Sequence, residues 1–209
     1  CKIGRKSAVN CMVINPITKD LIDDPKQKLE IWASHFYSLC KKDPNEKIFE
    51  VDYSPDPVFE EVTDCPVTWA EIVLECTCTK NKKAAGIDNI PSEFYKITQS
   101  DPEGRSNFSK NILLTLNKIL SEGICPKDWE NCIVVPVFKK GDPHDPSNYR
   151  GIALINTLQK LFAKILARRL QVINESQGFL RREQSGFIKS EECVGQAACL
   201  LESLQRRKF

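Results

Sequence analysis

Lys139 and Lys140 end an apolar run, a stretch of turn formers follows, and Arg150 opens the next extended segment. Paired as a hairpin, the two segments would draw three cations together above a groove, where a triphosphate or a nucleic-acid backbone supplies the anions. The residue types suit that chemistry. Arginine offers a planar, bidentate fork to phosphate, and lysine a compact charge. The same pattern also describes an exposed hairpin whose charges only keep it soluble, and pattern alone leaves both readings open.

The elements that would position these cations can be read from periodicity. Cys132 to Phe138 is a β-branched, apolar run expected to be a strand. Pro136 removes one backbone donor, which predicts an edge strand or a bulge. The segment Lys139 to Asn148 reads as a flexible turn, and Tyr149 to Leu154 as the returning strand. Next, Leu158, Leu161, Phe162, Ile165, Leu166 and Leu170 recur at helical spacing, with Lys160, Lys164, Arg168 and Arg169 expected on the outer side. Those cations could track phosphates or form a solvated face. Residues 191–207 read as a further helix.

Upstream, Asp24-Pro25-Lys26-Gln27 is a helix start, and Leu29, Trp32, Phe36 and Leu39 form the expected apolar stripe. Residues 43–66 are rich in proline and acids and read as a connector. Thr68 and Glu71 make a capping box, with Val67 and Ile72 placed as its hydrophobic staple. That helix runs out near Lys80 to Lys83, Ala85 to Asn89 marks a turn, and Pro91 suits the start of a short helix carrying Phe94 and Tyr95. Phe108, Ile112, Leu116, Ile119 and Leu120 then define a longer amphipathic helix ending at Gly123.

Composition narrows the class. With 41% hydrophobic and 28% charged residues in 209, the chain is neither disordered nor membranous in character. No stretch approaches the roughly 20 continuous apolar residues of a bilayer span. The N-terminus lacks an initiator Met and the apolar core of a signal peptide, so an intracellular location, nuclear or cytoplasmic, is expected. Residues 1–104 hold 13 Lys+Arg against 18 Asp+Glu, and residues 105–209 hold 17 against 10. The basic second half fits a surface that meets polyphosphate on one side. Ten cysteines at irregular spacing, with only His35 and His144 beside them, suggest reduced thiols rather than a zinc site.

Four blocks, in order, resemble the reverse transcriptases of non-LTR (LINE-type) retrotransposons. Lys83-Ala84-Ala85-Gly86-Ile87-Asp88-Asn89-Ile90-Pro91 through Lys96 is similar to the first block of that family. Pro126 to Trp129, Ile133 to Asp142 and Asn148-Tyr149-Arg150-Gly151-Ile152-Ala153-Leu154 are similar to the second. Lys160 to Leu166 with Arg169-Leu170 resembles the helix after it, and Gln184-Ser185-Gly186-Phe187 the lead-in to the palm. The helix from Asp24 to Leu39 resembles the extension that precedes the fingers. The likeness spans most of residues 20–209. The chain departs from it at Gly151 and Ala153, where Pro and Ser are usual, and at Ile188, which intervenes before the usual basic residue.

The resemblance implies an α+β, helix-rich fold: a helical N-terminal extension with an acidic connector (1–66), then the fingers region of a right-hand polymerase (67–209). It implies a fragment of an RNA-directed DNA polymerase whose partners are an RNA template, a DNA primer and a deoxynucleoside triphosphate. By position, Lys139 and Arg150, with Lys140 beside them, would contact the triphosphate. Gly86 and Asp88 would form a turn or meet the template, as would Lys160, Lys164 and Arg168. The intact enzyme would use Mg²⁺ held by carboxylates of a palm, and palm and thumb are not represented here. An aromatic-x-Asp-Asp turn does not occur. Asp23-Asp24 is the one Asp-Asp pair, and Asp24 is better explained as a helix cap. No catalytic residue and no metal site are therefore expected, and the chain alone is expected to be inactive. Two other classes remain open: a non-catalytic remnant that binds nucleic acid, and a helical module that docks a protein partner.

Overall fold

The computed structural model describes residues 12–41, 65–178, 180, 184, 186 and 193–206. The chain is α+β, with helices and two small antiparallel hairpins among the described residues. Most of the connector, the Gln184–Phe187 block apart from Gln184 and Gly186, and Ile188 with Lys189 lie outside them. No described helix is long and apolar enough to cross a membrane. Two compact units are present: residues 1–55 with 66–164, and 56–65 with 165–209.

The first unit opens with a hairpin that the periodicity did not reveal, β1 (Val13–Ile14) paired with β2 (Leu21–Ile22). Asn15 closes its turn by accepting from Ile17 and Thr18 N–H. Helix α1 (Pro25–Cys40) begins as the sequence indicates, with Asp24 Oδ2 accepting from Gln27 N at 2.9 Å. Asp23 pairs with Lys28 at 3.0 Å, so both acids of the Asp-Asp pair serve the helix start.

The buried face of α1 differs from the expected stripe. Trp32 is buried and Phe36 half-buried, but Leu29 and Leu39 are 65% and 67% exposed. The packed positions are Lys28, Ile31, Trp32, His35 and Phe36. Trp32 and Phe36 belong to both stripes, and Lys28, Ile31 and His35 replace Leu29 and Leu39, a turn of about half the 100° step between neighbouring residues, because the aromatic rings are what meet Val13 and Tyr149 in the core.

Helix α2 (Trp69–Cys78) carries the full capping box of Thr68 and Glu71. Val67 and Ile72 are buried as a staple requires, and the Asn117 side chain holds both the N–H and the C=O of Val67. The short α3 (Ser92–Tyr95) continues into a 3-10 turn. Helix α4 (Asn107–Glu122) buries Ile112, Leu116 and Ile119 and ends at left-handed Gly123, as its periodicity predicts. Asp101 braces its start by accepting from the N–H groups of Arg105 and Ser106 and from Ser109 Oγ. The Ser109 and Ser106 bonds hold its carboxyl well below the usual range.

Strands β3 (Ile133–Phe138) and β4 (Tyr149–Leu154) form the second hairpin. Helix α5 (Thr157–Gln177) follows and runs through the division between the units. Its Leu161, Phe162 and Ile165 are buried as expected, whereas Leu170 is 48% exposed. Arg169 is also not on the outer side. It is 6% exposed and donates through Nη1 to Cys65 O at 2.6 Å, both residues in the second unit. A long side chain inside a helix stripe can bury its stem when a carbonyl receives its head. Helix α6 (Cys193–Arg206) matches the last expected helix.

Candidate nucleotide and nucleic-acid interface

The β3–β4 ladder pairs Val137 with Arg150, Phe138 with Tyr149 and Pro136 with Gly151. One further bond, Lys139 N to Asn148 O at 2.9 Å, extends it. Hydrogen-bonded pairs alternate along an antiparallel ladder, so Val137 and Val135 are bonded positions and Pro136 is not. The missing donor of Pro136 therefore costs no ladder bond, and the strand passes through it without a bulge.

Alternation also assigns the faces. Ile133, Val135, Val137, Arg150, Ile152 and Leu154 share one face, and Lys139 continues it. Val134, Pro136, Phe138, Tyr149, Gly151 and Ala153 share the other. Lys139 and Arg150 are thus diagonal neighbours, positions roughly 7–8 Å apart in such a ladder. Lys140 lies past the ladder in the turn. All three cations are exposed, and among the described residues no carboxylate pairs with any of them.

The loop between the strands is tied down, not the flexible turn expected. Asp142 Oδ1 accepts from His144 N, Asp145 Oδ1 accepts from Ser147 N, and Asn148 Nδ2 donates to Asp142 O. Tyr149 donates its hydroxyl to Pro143 O at 2.6 Å. The Ser147 contacts lower the Asp145 carboxyl's affinity for a proton. The loop is also bonded to β1: Ile14 N donates to His144 O at 2.8 Å, and His144 Nδ1 lies 2.9 Å from Met12 O.

The opposite face of the hairpin carries α1. Trp32 meets Tyr149 edge-on at 4.8 Å, and the Phe36 ring lies over Gly151, where a Cβ would come within 2.8 Å of it. The contacts of Trp32, Phe36 and His144 with the hairpin and β1 were not legible from the hairpin motif. The available signal was local: two apolar pairs, Val13-Ile14 and Leu21-Ile22, flank a run of turn formers, and two aromatic residues stand one helical turn apart.

The first block folds against the start of α5. Gly86 is buried, and a Cβ there would approach Asn156 N and Cα at 2.6 and 2.7 Å. Asn156 Oδ1 accepts from Asp88 N, and Thr157 Oγ1 donates to Ile90 O. Asp88 Oδ1 accepts from Ile90 N, closing the turn. Lys160 donates to Ala84 O at 3.4 Å and Lys164 to Thr79 Oγ1 at 2.8 Å, so both reach the loop that carries Lys80, Lys82 and Lys83. Arg168 belongs to the second unit. Two groups of cations therefore stand in the first unit, one on the hairpin and one around the first block.

Among the described residues no three His, Cys, Asp or Glu side chains converge. With Asp23 and Asp24 committed to α1, the described residues do not fit a two-metal carboxylate site of the kind that nucleotide transfer uses.

No protein-family model matches the chain. A probable RNA-directed DNA polymerase from transposon BS of Drosophila melanogaster is 30% identical over 132 residues, 63% of this chain and 14% of that protein. A probable RNA-directed DNA polymerase from transposon X-element of the same species is 26% identical over 185 residues, 85% of this chain and 19% of that protein. The RNA-directed DNA polymerase from mobile element jockey of Drosophila funebris is 23% identical over 167 residues, 78% of this chain and 18% of that protein. This chain resembles the RNA-directed DNA polymerases of non-LTR retrotransposons. It spans less than a fifth of the length of each of these relatives, between 14% and 19%. The X-element match runs through the hairpin and the first block alike, since at 85% it leaves little of the chain outside it.

Proposed function

We propose that this chain supplies nucleotide and template contacts of an RNA-directed DNA polymerase, the activity for which its relatives are named, and does not polymerise by itself. The observation that carries the reading is the shared open face of Lys139 and Arg150, on the side of the hairpin away from α1. An arginine fork and a lysine ammonium placed side by side suit the oxygens of a triphosphate. There they would offset the charge that grows as the α-phosphorus is attacked and pyrophosphate leaves. Lys140 would add to the local field from the turn.

Lys160 and Lys164 would meet template phosphates, and Arg168, in the second unit, is a separate candidate for such a contact. Gly86 and Asp88 would shape the loop beside them. The RNA template and DNA primer would be held jointly with parts of the polymerase outside this chain. Mg²⁺ in the intact enzyme would be bound there too, since the described residues do not fit it.

The experiment is a filter-binding and fluorescence titration of the chain with single-stranded RNA and with dATP, paired with a primer-extension assay. Salt-sensitive RNA binding and an affinity for dATP that falls about tenfold or more in Lys139→Ala/Arg150→Ala are expected. Unchanged dATP affinity in that variant would remove the hairpin contact. Robust extension by the chain alone would refute its inactivity.

A further inference from the structure

Arg150 stands between two residues that α1 grips. Tyr149, just before it, is buried with its ring 4.8 Å from that of Trp32. Gly151, just after it, lies under the Phe36 ring, which a Cβ there would approach to 2.8 Å. Both neighbours face α1, so alternation turns Arg150 to the opposite, open face. A single aromatic contact would leave the strand free to roll. Two contacts on either side of one residue fix the direction of the side chain between them.

The loop of the hairpin is held by the same N-terminal segment. β1 donates to His144 O through Ile14 N–H, and His144 reaches back to Met12 O. Within the loop, the bond from Lys139 N to Asn148 O keeps Lys139 in register with β4. The segment from Met12 to Cys40 therefore touches the hairpin at its loop, at Tyr149 and at Gly151, and touches none of the three cations among the described contacts.

We propose that this N-terminal segment is a brace for the basic hairpin, with Phe36 and Trp32 as positioning residues that set the face on which Arg150 and Lys139 stand. The consequence for binding rests on the reading of those two cations as phosphate contacts. Gly151 is the matching half of the device, because any side chain there must displace the Phe36 ring or the strand. The seat is specific to a glycine: a Cβ would also meet Val134 Cγ1 at 3.0 Å. Loss of the brace would leave the ladder bonds intact, but the two-stranded ribbon would lose the surface on which Tyr149 and Gly151 rest, and isolated two-stranded hairpins are marginal in water.

The test uses the whole chain with Phe36→Ala, Phe36→Leu, Gly151→Ala, the double variant Phe36→Ala/Gly151→Ala, and Lys139→Ala/Arg150→Ala. Hydrogen exchange is followed at the amides of Lys139 and of β4, with those of α4 as internal reference, and affinity is measured for inorganic tripolyphosphate. Phe36→Ala and Gly151→Ala should each speed exchange in the hairpin by about tenfold or more while α4 holds its protection. Tripolyphosphate affinity should fall roughly two- to tenfold in both, the range expected for coupled neighbours. Phe36→Leu should recover most of it. Gly151→Ala should add less to Phe36→Ala than it costs alone, since the ring that its Cβ meets is gone and only the Val134 contact remains.

Hairpin exchange that is unchanged, or that rises only in step with α4, overturns the brace. Faster exchange with unchanged tripolyphosphate affinity, where Lys139→Ala/Arg150→Ala still loses it, overturns the positioning role and leaves the phosphate contact standing. If the Lys139/Arg150 variant binds tripolyphosphate as the wild type does, the phosphate reading fails, and the exchange data decide the brace independently.

Discussion

The indole of Trp32 meets the phenol ring of Tyr149 edge-on, with ring centroids 4.8 Å apart and planes at 75°. Both residues are buried, and with Val13 they form the core that joins the N-terminal segment to the hairpin. An edge-to-face pair is favourable beyond its area burial. Trp32 Nε1 has no hydrogen-bond partner there, which partly offsets the gain. Trp32→Ala should therefore cost about 3–5 kcal/mol through the cavity it leaves. Trp32→Phe should cost much less, because it keeps a ring and removes the unpaired donor. Urea denaturation of the two variants checks this; equal losses would mean that the indole N–H is satisfied in solution.

Gly86 has its own consequence. A methyl group there would lie within 2.7 Å of the Asn156 backbone, and a backbone cannot give way as a side-chain tip can. Gly86→Ala should destabilise the chain by about 1–3 kcal/mol through overpacking. It should also weaken the bonds that Asn156 and Thr157 make to the first block. A denaturation midpoint equal to the wild type's would show that the loop rests further from α5 than these distances state.

Much of this arrangement was legible in the sequence because it is local. Asp24, Thr68 with Glu71, and Gly123 fix helix ends through bonds to residues three or four away, and the β-branched, apolar run from Ile133 to Phe138 fixes a strand. What was not legible depends on partners far along the chain. Leu29 and Leu39 have the spacing of a buried stripe, but the aromatic partner Tyr149 lies over a hundred residues away and selects a face centred on Trp32, with Lys28 and Ile31 in place of the two leucines. Arg169 reads as a surface cation until Cys65 O, from the far side of the connector, receives it. The hairpin loop looks flexible by composition, yet its Asp, Asn and His side chains bond back onto it and onto β1. The candidate site was half legible: the cations are evident from residue type, and the aromatic residues packed on the opposite face of the hairpin are not.

Tyr95 links pH to stability. Burial, with the negative charge of Asp88 and the Cys76 thiol beside it, raises its hydroxyl from the ordinary 10.0 to about 12. The neutral phenol is therefore favoured in the folded chain. Its stabilisation is fully present below pH 10 and is lost as pH rises from 10 towards 12. Absorbance at 295 nm should show a late-ionising tyrosine that is missing from Tyr95→Phe, and that variant should flatten the fall in stability across the window. An unchanged pH profile in the variant would assign the alkaline loss to other groups.

The cations around the first block make the last prediction. Lys160 and Lys164 already donate to Ala84 O and Thr79 Oγ1, so a purely structural role is a real competitor to a phosphate contact. The two roles differ in their dependence on salt. A phosphate contact releases counterions, and each one removed should lower the slope of log affinity against log salt by about 0.7 for a single strand. Lys160→Gln/Lys164→Gln should then reduce that slope for single-stranded RNA by about 1.4. Its unfolding free energy should stay within about 0.5 kcal/mol, as for surface substitutions generally. A slope that does not change, together with a lower unfolding midpoint, would mean that the two ammonium groups pin α5 to the first block and touch no template.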